Sequence, residues 1–228
     1  MSSSAQDIRF QAGEHGAVSG LVQAPADPLA CYVFAHGAGA GMRHAFMAAV
    51  AQGLAERGIA TLRYQFPSME AGRKRPDPPA VAHATVRAAV DQAARRFGAL
   101  PLYAGGKSFG GRMTSQAQAL QPLPGVAGLV FVGFPLHPAG TPSTGRATHL
   151  TDVRVPMLFV QGTRDELAEI GHIRSVVSTL GRLATLLEIA EADHAFHVLR
   201  RSGRTDEDVL QQLLDGMAAW LQPQTKPA

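Results

Sequence analysis

The sequence predicts an α/β protein: one mostly parallel central sheet with helices on both faces and little or no lid. Two observations carry this. Short apolar runs alternate with longer segments of helical periodicity, which is the pattern of repeated strand–helix units. Glycine-rich turns follow two of the apolar runs, at His36–Gly41 and Gly105–Gly111, where such a sheet carries its ligand-binding loops.

Taken in order, residues 8–22 suit one or two antiparallel edge strands. Tyr32–Ala35 reads as a buried strand, and a helix follows over 45–57, with Gly58 as its stop. Ile59–Tyr64 is the next strand. Residues 65–79, rich in proline and basic residues, read as loop alone. Pro79 opens a helix to Phe97, with Val81, Thr85, Ala88, Ala89 and Gln92 as its apolar stripe. Leu102–Ala104 is a short strand and a helix runs to Leu120. Strands at 126–134, 157–161 and 185–189, with a helix over 166–180, complete the alternation. Residues 134–156 read as loop with one helical turn near His149. Asp206–Leu221 closes the pattern as a helix whose apolar side is Val209, Leu210, Leu213, Leu214, Met217 and Trp220.

The 228 residues fit a single domain over 1–228. With 46% hydrophobic and 17% charged residues the chain reads as globular. No apolar stretch is long enough to span a bilayer, and the first residues carry no secretory pattern. One cysteine, Cys31, sits within an apolar run and reads as a buried small hydrophobe, which suits the cytoplasm. The net charge of +3 is scattered, so neither nucleic acid nor membrane is expected as a partner; the oligomeric state stays open.

The chemistry is concentrated in Gly106-Lys107-Ser108-Phe109-Gly110, a G-x-S-x-G sequence between an apolar run and a helix-compatible segment. A serine on so sharp a turn needs small residues two before and two after it, and it gains an exposed Oγ beside a helix N-terminus. The alternative is a glycine turn in which Ser108 only caps the helix. Lys107 does not belong to a phosphate-binding loop, since Pro101 stands where that motif needs glycine, and it is expected to point away from the serine. A nucleophilic serine needs a base and an orienting acid, in the chain order Ser, Asp/Glu, His for this topology. Asp165 follows one apolar run and His194 the next. Glu166, Asp193 and His197 compete for these roles; Asp193 as a capping residue and His197 as a packing residue are the milder readings. The oxyanion donors are assigned to the N–H groups of Phe109 and Ala38, with Gly39 next, and His36 is read as a brace for its loop. No metal site is expected, because the nine histidines show no paired ligand spacing, and no cofactor is implied.

The chain resembles α/β-hydrolases of the dienelactone-hydrolase-like group. More narrowly, it is similar to the small family that includes testis-expressed hydrolase-like proteins and the hydrolase-like part of a nuclear acetyltransferase-complex subunit. The carrying segments are AHGAGAGMRHAFM from Ala35, YQFPSMEAGRKRPD from Tyr64, GGKSFGGRM from Gly105, VQGTRDEL from Val160 and ADHAFHVLRRSGRT from Ala192. The resemblance implies the α/β-hydrolase fold and hydrolase chemistry; dienelactone hydrolases use a cysteine where this chain has Ser108. It also changes the reading of Arg73, Lys74, Arg75 and Asp77, which either hold their loop to the body through Asp77 or, through Arg75, line the pocket mouth. Arg112 is read as an ion-pair partner or as an anchor for a substrate carboxylate. The expected activity is a serine hydrolase acting on a small or medium ester-like substrate. The rivals are a non-catalytic hydrolase-fold interaction module and, third, an acyltransferase using the same triad.

Overall fold

The structure is a computed structural model that describes residues 4–73 and 75–222. The described residues form eight strands: β1 (Gln6–Gln11), β2 (Ala17–Gln23), β3 (Ala30–Ala35), β4 (Ile59–Tyr64), β5 (Leu102–Lys107), β6 (Val126–Val132), β7 (Met157–Gly162) and β8 (Ala184–Ile189). They make one sheet in the order β1-β2-β4-β3-β5-β6-β7-β8. β3 to β8 run parallel, while the β1–β2 hairpin adds two antiparallel strands through β2–β4. The order turns back on itself between β4-β3 and β5. The loops after β3 and β5 therefore leave side by side, with Ala35 paired to Gly106. Such switch points are where open α/β sheets bind ligands.

Residues alternate across the sheet and feed two cores. On one face Tyr32, Phe34, Val130 and Val160 meet α1 (Ala45–Glu56) and the C-terminal helix through Met47, Val50, Val209 and Leu213. On the other, Val33, Leu62, Ala104, Phe131 and Phe159 pack on α3 (Pro79–Phe97) and α4 (Phe109–Leu120) through Val86, Ala89, Met113 and Ala117. Each fully buried large side chain contributes about 1.5–3 kcal/mol. α6 (Asp206–Leu221) begins at a capping box in which the Thr205 and Asp208 side chains satisfy each other's backbone N–H. It lies close against α1: a Cβ on Gly53 would stand 2.2 Å from Leu214 Cδ1.

Four departures from the sequence reading have a physical reason. The segment after β4 contains a short helix, α2 (Pro67–Glu70). Pro67 starts it rather than breaking it, and the buried Asp77 carboxylate accepts the Ser68 N–H at 2.8 Å. β5 continues through Gly105 and Gly106, which lack side chains but keep their place in the ladder. The buried stripe of α3 is Ala82, Thr85, Val86, Ala89, Val90 and Ala93, a face that an alanine-rich helix hardly marks. α5 (Ile170–Leu180) starts four residues later than expected, because the Asp165 carboxylate takes the Leu167 N–H at 2.8 Å and holds residues 165–168 as a turn. Between β6 and β7 there is only a 3-10 segment, Gly145–Asp152, and no lid covers the sheet's C-terminal edge there. Among the described residues no helix is long and apolar enough to cross a membrane.

Candidate active site

Ser108 sits between β5 and α4 at φ 50°, ψ −113°, a conformation that costs a non-glycine residue about 1–3 kcal/mol. The glycines around it make the turn possible. A Cβ on Gly106 would stand 2.5 Å from the Ala35 carbonyl oxygen, and one on Gly110 2.6 Å from the same atom. The Ser108 N–H donates to Val132 O, and its carbonyl accepts the Arg112 N–H to begin α4. Its side chain makes no capping bond to the helix. Instead Oγ lies 2.9 Å from His194 Nε2.

His194 Nδ1 lies 2.7 Å from Asp165 Oδ2. Since a carboxylate only accepts, Nδ1 carries the proton, and Nε2 presents its lone pair to the serine hydroxyl. The Asp165 side chain is fully buried, while that of His194 is 26% exposed. Gln161 Nε2 donates to Asp165 Oδ2 at 2.6 Å, and Gln161 Oε1 accepts the Phe134 N–H at 2.9 Å, so the acid is fixed to the ends of β6 and β7. The loops bearing Asp165 and His194 are laced together: Arg164 N–H donates to Ala192 O and Glu191 N–H to Thr163 Oγ1. The competing residues are occupied elsewhere or point away. Asp193 Oδ1 accepts the Ala195 and His197 N–H groups and shapes the His194 turn. His197 pairs with Asp206, whose hydrogen bond and charge hold the imidazole above its ordinary value. Glu166 is exposed and lies in the turn before α5 rather than on the helix.

The serine opens into a cleft of about 250 Å³ lined by Gly37, Ala38, Ala40, His44, Phe46, Met47, Lys107, Ser108, His194 and Ala195. Larger surface grooves of about 500 Å³ exist, one beside Arg63, and they share no lining residue with this cleft. The Phe109 N–H is the first of α4, in the turn whose donors have no partner within the helix. Ala38 lies in the turn closed by Ala40 N–H and Gly37 O, within the cleft wall; Gly39 makes the turn at φ 68° and is not part of that wall. Beneath it the buried His36 donates from Nδ1 to Gly37 O at 2.7 Å and accepts the Phe66 N–H on Nε2 at 3.2 Å. Burial holds its pKa below the ordinary value, so it stays neutral and braces the loop.

Residues 28–222 match the family described as an alpha/beta hydrolase domain. The chain belongs to this family. Solved structures agree on the fold. A serine hydrolase without a lid from Xanthomonas campestris superposes with a TM-score of 0.75 at 21% identity, over 100% of this chain and 99% of that one. A serine hydrolase homologue from Coxiella burnetii gives 0.74 at 21% identity, over 93% and 97%. A dienelactone hydrolase from Anabaena variabilis gives 0.77 at 20% identity, over 96% and 97%.

Several side chains of this α/β-hydrolase lie elsewhere than the sequence suggested. Lys107 does not point away from the serine: it lines the cleft, donates from Nζ to His194 O at 2.6 Å and stands 5.3 Å from the Phe196 ring centre. Burial lowers its pKa to about 8, against the opposing charges of Asp165 and Asp193. No spacing rule reveals that role, which needs the β5 and β8 loops in one place. Arg112 has no ion-pair partner among the described residues; its guanidinium lies 6.0 Å from the Phe109 ring centre, and its Nε is buried without a hydrogen bond. Arg75 is exposed, and Asp77 performs the loop-holding role; Lys74 lies outside the described residues. The fold also joins His137, Glu169 and His172, whose ligand atoms all lie within 4.8 Å of one another. Only the three-residue interval from Glu169 to His172, one face of a helix start, hinted at this cluster in the sequence.

Proposed function

We propose that this α/β-hydrolase is a serine hydrolase that cleaves small ester-like substrates through an acyl-enzyme on Ser108. The observation that carries the reading is the unbroken chain from Ser108 Oγ to His194 Nε2 at 2.9 Å and from His194 Nδ1 to Asp165 Oδ2 at 2.7 Å. As Oγ attacks the carbonyl carbon, its proton passes to His194 Nε2, and the buried Asp165 carboxylate stabilises the imidazolium. The Phe109 and Ala38 N–H groups receive the developing oxyanion, a contribution of about 10²–10³ in rate for one such donor. The imidazolium then protonates the leaving alkoxide, and a water activated by neutral His194 releases the acid. The residues supply every proton transfer, so the reaction asks for no cofactor.

The cleft argues for the substrate class. Its 250 Å³ falls under the usual range for ligand sites, and Phe46, Met47, Ala40 and Ala195 make most of its wall apolar. A short acyl group fits such a space better than a long chain, and the uncovered edge leaves room for a polar leaving group.

A fluorophosphonate probe followed by mass spectrometry tests the reading. Labelling confined to Ser108, lost in Ser108→Ala, together with hydrolysis of p-nitrophenyl esters that declines from acetate to octanoate, is the expected result. No adduct on Ser108 would favour the non-catalytic module.

A further inference from the structure

We infer that His137, Glu169 and His172 form a binding site for a divalent transition-metal ion, with Zn²⁺ as the best fit, apart from the Ser108 cleft. The three come from two places in the chain. His137 lies in the loop after β6; Glu169 is the N-cap of α5 and His172 lies in that helix's first turn. Two backbone bonds bring them together, from the Leu136 and His137 N–H groups to Leu167 O. The resulting donor set is His137 Nε2, Glu169 Oε2 and His172 Nδ1, with the carboxylate oxygen 2.5 Å from His137 Nε2 and 3.4 Å from His172 Nδ1.

Three features point to a cation rather than to a chance meeting of side chains. The His137 side chain is fully buried, and its Nδ1–H donates to Pro138 O at 2.8 Å. That bond fixes the ring so that Nε2 faces the other two donors, which is the support a metal-bound histidine receives from a backbone carbonyl. The donors are two imidazoles and one carboxylate, a set that suits Zn²⁺ and that leaves a fourth position for water. Glu169 and His172 are each 45% exposed, so that position and an entry path face solvent. A tetrahedral Zn²⁺ needs its donors about 3.3 Å apart, from bonds of about 2.0–2.1 Å. The cluster reaches this by opening the His137–Glu169 contact and drawing His172 inward, movements available to two half-exposed side chains. The Glu169 charge also offsets the positive end of α5.

The ion would tie the loop after β6 to the segment that carries Asp165, since the Leu167 N–H is bonded to the Asp165 carboxylate. It would act on order and stability, with no part in the proton transfers at Ser108.

The test uses the full chain, freed of metal by EDTA, titrated with ZnCl₂ against a chromophoric chelator and with CoCl₂ by visible absorption. His172→Ala and Glu169→Gln are compared, and circular dichroism checks their folding. One Zn²⁺ per chain is expected, with the absorption of four-coordinate Co²⁺, a rise in Tm of about 5 °C at a hundredfold excess over Kd, and affinity at least tenfold weaker in both variants. His194→Ala should bind as the wild type does. Absence of saturable binding, unchanged affinity in folded His172→Ala, or loss of binding in His194→Ala would each overturn the site and leave His137–Glu169 as a simple ion pair. None of these readouts depends on esterase activity.

Discussion

Replacing Asp165 by asparagine separates the carboxylate's charge from its shape, and the surrounding bonds set the expected cost. Asp165 accepts three donors: Gln161 Nε2 and His194 Nδ1 on Oδ2, and the Leu167 N–H on Oδ1. An amide can accept on one side only. With its oxygen toward His194, its NH₂ confronts the Leu167 N–H. With its NH₂ toward His194, it confronts the Gln161 amide, which cannot turn over without losing the Phe134 N–H held by its oxygen. In that second orientation the imidazole must move its proton to Nε2, where it can no longer accept from Ser108. Either way one buried donor is left unpaired, a stability cost of about 1–3 kcal/mol, and the imidazolium loses its counter-charge. Activity should fall by roughly 10³–10⁴, equivalent to about 4–5.5 kcal/mol of barrier. The assay is p-nitrophenyl acetate turnover with the fluorophosphonate labelling rate, alongside thermal melts. Asp193→Asn keeps an oxygen for its two backbone donors, and Glu166→Gln changes an exposed side chain, so each should stay within about tenfold. A folded Asp165→Asn protein within tenfold of wild-type kcat would refute the assignment.

Three further outcomes are expected. Gly110→Ala places a Cβ 2.6 Å from the Ala35 backbone, so despite alanine's better helix propensity it should lower stability by about 1–3 kcal/mol; an unchanged or raised Tm contradicts the close approach. Lys107 has a pKa of about 8 in the folded chain against an ordinary 10.5, so the unfolded state binds more protons between those values. Wild-type stability should therefore rise relative to Lys107→Met as pH increases from 8 to 10.5, and a constant difference in urea midpoints across that window counts against it. Burial pushes the Cys31 thiol up to about 12, so Ellman's reagent at pH 8 should modify it only after denaturation; rapid reaction of the native protein would disprove the burial.

The parts of this molecule most legible in the sequence are those that local chemistry dictates. Gly58 and Pro79 mark helix ends by their own backbone preferences, and the expected bounds of β4 and α6 coincide with the observed ones. The Ser108 turn was legible for the same reason, since its glycines answer to one backbone contact. What depends on distant partners was not. α5 begins late because Asp165 takes a backbone N–H that helix periodicity does not register. Lys107 and Arg112 look alike as charged residues flanking the elbow, yet one meets the His194 carbonyl, 87 residues on, and the other finds no acid among the described residues. Alanine in α3 carries too little hydrophobic contrast to show which face is buried.

The position of β8 bears on how the proposed triad can fail. Ser108 hangs from β5, an interior strand flanked by β3 and β6, whereas His194 follows β8, which has β7 as its single neighbour and is mostly half-buried. Edge strands open at lower free energy than the sheet centre. His194 is thus mounted on the more labile margin of the sheet and Ser108 on its firmest part. Detachment of β8 would silence the site while the remaining seven strands stayed paired. The bond from Lys107 to the His194 carbonyl spans this mismatch, tethering the margin to the interior strand that bears the serine.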